Sequence, residues 1–237
     1  MDGLTELTVT RAHQIFAHAA PARLNTIMTN HGWPIFDEDP HRLCCTLGRL
    51  KATPTHSVTQ SAPTEPWSVV EVDLQGKFSP PSLQGSQYAM DFAWRDPPHL
   101  TGALLARKSD AAAELHTFAV AMRRLHRCPK TIRADLGGEF DNDAFIKAAA
   151  AEGMHVEFVV PERHVNSAEL AHLRAADVMR ANNAMVHGVL HGKFWGYSML
   201  YAYQQIEAAG GWLDDPADLR SYAPYGSVIA YLNRQNA

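Results

Sequence analysis

Three acidic residues carry the chemistry this sequence could perform. Asp73 closes the β-branched run that begins at Ser68, Asp135 closes Thr131-Ile-Arg-Ala-Asp135, and Glu169 opens a long helical stretch after Asn166-Ser-Ala. Strand-end carboxylates that meet a helix carboxylate can hold a pair of divalent cations, and such a pair drives in-line attack on a phosphodiester. Bare carboxylates brought this close repel and raise one another's pKa. Two Mg²⁺ or Mn²⁺ ions relieve that repulsion, because hard cations prefer oxygen ligands. Taken singly, Asp73 or Asp135 is more often a cap or turn residue; only their convergence would make a site.

The elements needed to bring them together can be read from periodicity. Ser68–Leu74, Gln87–Trp94 and Leu100–Arg107 read as three strands close in sequence, an antiparallel meander with a Pro/Gly/Ser turn over 78–86. Ser109 is a natural N-cap for a helix to about His126, with Leu115, Phe118, Ala119, Met122 and Leu125 on one face. Thr131–Ala134 is a short strand, Asn142–Glu152 a helix closed by Gly153, and Met154–Val160 a strand. Pro161–Ser167 is a loop, 168–187 a helix, and a further helix spans about 193–209 before Gly210-Gly211. Successive β-α-β units make the later strands parallel. The expected fold is therefore α/β, a mixed five-stranded sheet with helices on both faces. Residues 1–32 read as helical with a break at Pro21, and 33–66 are rich in Pro, Ser and Thr, grading into a linker at 52–66.

Bulk properties narrow the class. The chain has 237 residues, 46% hydrophobic and 19% charged, which is ordinary globular composition. There is no apolar run of about eighteen residues and no signal-peptide pattern in residues 1–12, so a soluble, non-membrane, unexported protein is expected. Cys44, Cys45 and Cys128 are too few for a disulfide framework, which suits a reducing compartment. The net charge is −4, yet Arg95–Arg133 carries eight Lys/Arg against three Asp/Glu. Arg123, Arg124, Arg127, Lys130 and Arg133 gather around one helix end. They would serve either as a phosphate-facing patch or as a solvated end complementing the helix dipole.

In order along the chain stand Trp67…Asp73-Leu-Gln-Gly76, Tyr88-Ala-Met-Asp-Phe92, Lys108-Ser-Asp110, Arg133-Ala-Asp-Leu-Gly-Gly-Glu-Phe140, Gly153-Met-His155, Pro161…Asn166-Ser-Ala-Glu169 and Phe194-Trp-Gly196. Together these pieces resemble the catalytic core of copia-type retrotransposon integrases, which have an RNase H-like fold and a D,D,E triad. The resemblance implies Asp73, Asp135 and Glu169 as catalytic metal ligands holding two Mg²⁺ or Mn²⁺ ions. It implies that one ion activates water or a DNA 3′-hydroxyl while the other stabilises the leaving oxygen. It also implies element ends and target DNA as partners, Asn166 and the Arg123, Arg124, Arg127 and Lys130 group as nucleic-acid contacts, a homo-oligomer, and residence in the nucleus. The expected organisation is a zinc-binding-like segment over 1–51, the linker, a catalytic core over 67–211, and an extension over 212–237.

The amino-terminal segment resembles the small zinc-binding region that precedes such cores. His13-x₄-His18 fits the first ligand pair. Of the second pair only Cys45, before Gly48-Arg49, keeps its place, and Arg42 stands where the other cysteine would be. His41 or Cys44 could complete a tetrahedral zinc set. Two further departures bear on activity. Ser167 replaces a glycine and Leu170 follows the glutamate where a basic residue is common, and the 33 residues between Asp135 and Glu169 make a short spacing. The sequence therefore leaves three readings: an integrase joining DNA ends to target, an integrase-derived nucleic-acid-binding module without turnover, and a nuclease using the same metals.

Overall fold

A computed structural model describes residues 9–30, 32, 45, 65–159, 167–185 and 192–209, with the backbone alone at 9–10, 167–169 and 185. His41, Cys44, Asn166, nearly all of the 52–66 linker, the 160–166 loop and the 212–237 extension lie outside the described residues. The chain divides into two compact units, one of 52–174 with 192–196 and the other of 1–51, 175–191 and 197–237.

The first unit is built on a sheet of β1 (Val69–Gly76), β2 (Tyr88–Arg95), β3 (Pro98–Leu105), β4 (Thr131–Asp135) and β5 (His155–Val159). The spatial order is β3-β2-β1-β4-β5. β1, β2 and β3 pair antiparallel, whereas β4 and β5 run parallel to β1. This is the mixed, RNase H-like α/β sheet expected from the sequence. Between the strands lie α3 (Ala111–Arg124) and α4 (Asp143–Ala151). They cover one sheet face: Val70, Val72, Met90, Phe92, Ile132 and Ala134 share a buried core with Leu115, Phe118, Met122 and Phe145. Phe92 and Phe118 stack with ring centroids 3.8 Å apart.

Local chemistry moves three element boundaries from their expected places. The helix after β3 has Asp110 rather than Ser109 at its N-cap position, without a side-chain cap. A 3₁₀ turn over Lys108–Asp110 comes first, and the Asp110 carboxylate accepts the Arg107 backbone N–H at 2.9 Å. β3 begins at Pro98, not Leu100, because Asp96-Pro97 makes a two-residue hairpin turn that pairs Arg95 with Pro98. A proline lacking its N–H is tolerated at the first residue of an edge strand. Asn142, expected as the first residue of the next helix, is instead the N-cap of α4, its Oδ1 accepting from Phe145 N at 3.0 Å.

The long helix α5 (Ser167–Met185) and the last, α6 (Trp195–Ala209), follow. Within the sheet unit, the Trp195 indole donates to the Pro80 carbonyl at 2.9 Å and its ring lies against Phe78.

The second unit gathers α1 (Val9–Ile15), α2 (Pro21–Asn30), Cys45, α5 from Ala175 and α6 from Tyr197. Pro21 stands at the first position of α2, where its missing N–H costs nothing. Ile15, Phe16, Leu24, Met28, Met199 and Tyr203 are buried. Polar bonds join the sequence-distant pieces: Ser198 to Asn183 at 2.8 Å, and Arg23 to the Ala209 carbonyl at 3.3 Å. Tyr201 is buried in the same unit. Among the described residues no helix is long and apolar enough to cross a membrane.

Candidate metal centres

The face of the sheet opposite the apolar core is lined with charge. Side chains alternate across a strand, so Glu71 and Asp73 of β1, Asp91 and Arg95 of β2, and Arg133 and Asp135 of β4 all fall on it. Glu71 is buried and pairs with Arg95 at 2.8 Å. Arg133 pairs with Glu157 at 2.9 Å.

Asp73 lies directly opposite Asp91 in the antiparallel register. On its other side the parallel pairing matches Val69 with Thr131 and Glu71 with Arg133, and the same register carried onward sets Asp73 level with Asp135. Asp73 thus sits between two carboxylates. Burial holds its pKa above the ordinary value, and the Asp91 and Asp135 charges push it further up; the Leu74 N–H at 2.8 Å and the His172 ring act the other way. Such half-buried, mutually repelling oxygen donors are the donor chemistry that suits a hard cation.

Asp91 was not foreseen as a site residue. It is fully buried and accepts a hydrogen bond from Nδ1 of His172 at 2.6 Å. The available signal was an acid in the otherwise apolar run Tyr88-Ala-Met-Asp-Phe-Ala-Trp94. His172 stands one turn after Glu169 on α5, and residues three apart share a helix face. Glu169 lies in the first turn of α5; its side chain is outside the described residues.

Past β4 the chain turns tightly. The Gly137 N–H donates to Asp135 Oδ1 at 3.0 Å, and a Cβ at Gly137 would come within 2.9 Å of that oxygen and 3.0 Å of the Glu139 carboxyl carbon. Glycine is needed there because two carboxylates crowd its backbone. Glu139 in turn pairs with Lys108 at 3.1 Å. Beside them opens a cleft of about 420 Å³, lined by Lys108, Ser109, Ala112, Gly138, Glu139 and Asn142.

Of the expected basic patch, four members have intramolecular contacts, Arg133 through its pair with Glu157. Arg123 is paired with Glu152, Lys130 bonds Glu65 at 2.8 Å, and the Arg127 guanidinium lies 4.9 Å from the Trp67 ring centroid. Arg124 is exposed.

The second candidate centre is in the other unit. His13 Nε2, His18 Nδ1 and Cys45 Sγ form a triangle with sides of 3.0, 3.3 and 3.4 Å, and all three residues are buried. The edges of a tetrahedron drawn with zinc–nitrogen and zinc–sulfur bonds are about 3.3–3.6 Å, so the triangle has roughly the size of one of its faces. It is the one set of three ligand-type groups this close among the described residues. The chain bends sharply to make it. Ala17 and His18 both adopt left-handed backbone conformations, φ 56° and 54°, and the His18 N–H returns to the His13 carbonyl at 2.9 Å. Left-handed non-glycine residues cost on the order of 1 kcal/mol each and concentrate at functional sites. His13 also donates from Nδ1 to the Ala19 carbonyl at 3.0 Å. A carbonyl only accepts, so Nδ1 carries the proton and Nε2 turns a lone pair inward. These residues fit a zinc ion.

No protein-family model matches the chain, and no curated protein is significantly similar to it.

Proposed function

We propose that the protein is a metal-dependent polynucleotidyl transferase of retrotransposon-integrase type, processing DNA ends and joining them to target DNA. What carries this reading is the alignment of Asp73 and Asp135 at one level of neighbouring parallel strands. Asp73, Asp135 and Glu169 would hold two Mg²⁺ or Mn²⁺ ions, whose chemistry is Lewis-acid stabilisation of the attacking and leaving oxygens. Asp91 fixes the His172 turn of α5 to the sheet opposite Asp73, which supports placing the preceding turn, with Glu169, near the two acids. Gly137 lets the chain pass close to Asp135. Arg123, Arg124, Arg127, Lys130 and Asn166 are proposed to track the DNA backbone, and His13, His18 and Cys45 to hold zinc. His41 or Cys44 would supply the fourth zinc ligand. A homo-oligomer working on DNA in the nucleus follows from the same reading.

One observation favours a second reading, a nucleic-acid-binding module without turnover. Leu170, next to Glu169, is half-exposed where a basic residue would meet DNA, and four members of the basic patch have intramolecular contacts.

The decisive assay incubates the full chain with Mg²⁺ or Mn²⁺, a labelled duplex with recessed 3′ ends and a supercoiled plasmid, alongside Asp73→Asn, Asp135→Asn and Glu169→Gln. Joined products lost in all three variants support the integrase. Nicking without joining points to a nuclease, and salt-sensitive binding without products to the binding module.

A further inference from the structure

The histidine and cysteine triangle is held from outside by a run of buried amides whose direction can be deduced. It starts at the Gln14 backbone carbonyl, which can only accept a hydrogen bond. The Gln205 side chain reaches that carbonyl through Nε2, which leaves Gln205 Oε1 facing the other way. Asn182 donates to this oxygen from Nδ2 at 2.7 Å. Its own Oδ1 therefore faces His18, 3.2 Å from Nε2. An amide oxygen needs a donor, so His18 carries its proton on Nε2 and leaves Nδ1 unprotonated. Flipping Gln205 would set its oxygen against the Gln14 carbonyl, and flipping Asn182 would set its oxygen against Gln205 Oε1, so the backbone carbonyl polarises the entire run.

The result is two imidazole nitrogens, His13 Nε2 and His18 Nδ1, facing each other 3.3 Å apart with Cys45 Sγ beside both. Both turn lone pairs inward, because both outer nitrogens are committed to acceptors. A cation satisfies all three groups at once. Asn182 is 1% exposed and Gln205 fully buried, so water does not readily replace either amide.

We infer that Asn182 and Gln205 are positioning residues for this centre, setting the tautomer by which His18 offers Nδ1 to the metal. This rests on the zinc reading above and adds its consequence. Asn182 belongs to α5 and Gln205 to α6, so metal occupancy at the amino-terminal segment is coupled to the later part of α5 and to α6. Partners in this outer layer commonly change metal affinity by about 10–100-fold.

The test uses the metal-stripped full chain, titrated with zinc against a competing chelator. Asn182→Leu and Gln205→Leu are expected to bind zinc at least about 10-fold more weakly than the unmodified protein. Asn182→Asp, which keeps an acceptor oxygen for His18 but loses the donor to Gln205, is expected to bind zinc more tightly than Asn182→Leu. Nitrogen-15 NMR of the imidazoles reads the tautomers directly: protonated Nε2 on His18 and protonated Nδ1 on His13, with His18 Nδ1 shifting when zinc is added. If Asn182→Leu binds zinc like the unmodified chain, or Asn182→Asp loses as much as Asn182→Leu, the positioning role is overturned while the zinc site stands. If the unmodified chain takes up no zinc, the zinc reading fails and this inference with it. Circular dichroism of each variant separates loss of fold from loss of affinity, and Gln205→Glu, which abolishes the donor to Gln14 at nearly constant volume, gives a second route if the leucine variants do not fold.

Discussion

The hydrogen bond between His172 and Asp91 should be worth more to this protein than its surface ion pairs, and its removal tests how the acidic face is assembled. Asp91 has no solvent exposure and the His172 side chain is 5% exposed, with 2.6 Å between Nδ1 and Oδ2. His172→Ala takes the imidazole away from a carboxylate that water does not reach. Breaking a buried ion pair costs about 3–5 kcal/mol, and leaving a buried hydrogen-bonding group short of a partner about 1–3; the overlap puts the loss at about 3 kcal/mol. Asp91→Asn keeps a neutral acceptor for the same ring, so it should cost about 1 kcal/mol. Urea unfolding of the full chain, followed by tryptophan fluorescence, measures both, since Trp67 and Trp94 lie in the sheet unit with this pair. The double variant should cost less than the two losses added together, because the second change removes a group already deprived of its partner. In the strand-joining assay His172→Ala should lose more activity than Asp91→Asn, as the helix turn carrying Glu169 is released only in the first. A loss below about 1 kcal/mol for His172→Ala, or additive behaviour of the pair, would refute the idea that this contact anchors α5 to the sheet.

Three more outcomes can be checked. Asp73 has a folded pKa above its ordinary 3.8, so its ionisation opposes folding at neutral pH and ceases to do so at acid pH. Asp73→Asn should therefore raise the unfolding midpoint at pH 7 without divalent cation, with the gain fading as pH falls through that raised pKa and absent below 3.8, and it should abolish the stabilisation conferred by Mn²⁺. His99, buried between Trp67 and Trp94, is held down to about 4 from 6.5 by burial first and by the Arg127 charge second. A depressed base gives stability that is complete above pH 6.5 and lost as pH falls towards 4, on the order of 3 kcal/mol in total; His99→Phe should flatten that slope in denaturation curves at pH 7 and pH 4.5, and an unchanged slope would contradict it. Ala17→Gly relieves a left-handed backbone and should stabilise the histidine-bearing unit by roughly 0.5–1 kcal/mol in thermal unfolding, whereas a destabilisation would show that the bend is not strained.

How far the residues foretold this arrangement differs between the two candidate centres. Asp135 was legible because it ends an apolar β-branched run; Asp73, expected at a strand end, stands inside β1, which runs on to Gly76, and the parallel register of β1 and β4 is what sets the two acids level. His13 and His18 were legible as a pair, but their juxtaposition was not a matter of helical spacing. α1 ends at Ile15, and two left-handed residues bend the chain to bring His18 back, which no propensity of alanine or histidine announces. Cys45 was one of several candidates for the second half of the set, and spacing alone did not choose among them.

What the one-dimensional pattern determined was the alternation that gives the sheet one apolar and one charged face, and the order of strands and helices that makes its pairing mixed. Those follow from local rules of period two and period 3.6, written into neighbouring residues. Only the tertiary structure decided that Asp91 and His172, 81 positions apart, would share a hydrogen bond. It likewise decided that Asn182 and Gln205 would orient a histidine 164 positions upstream of Asn182. Such contacts depend on which buried donor can reach which buried acceptor once the core has closed, and that complementarity has no signature in the sequence around either partner.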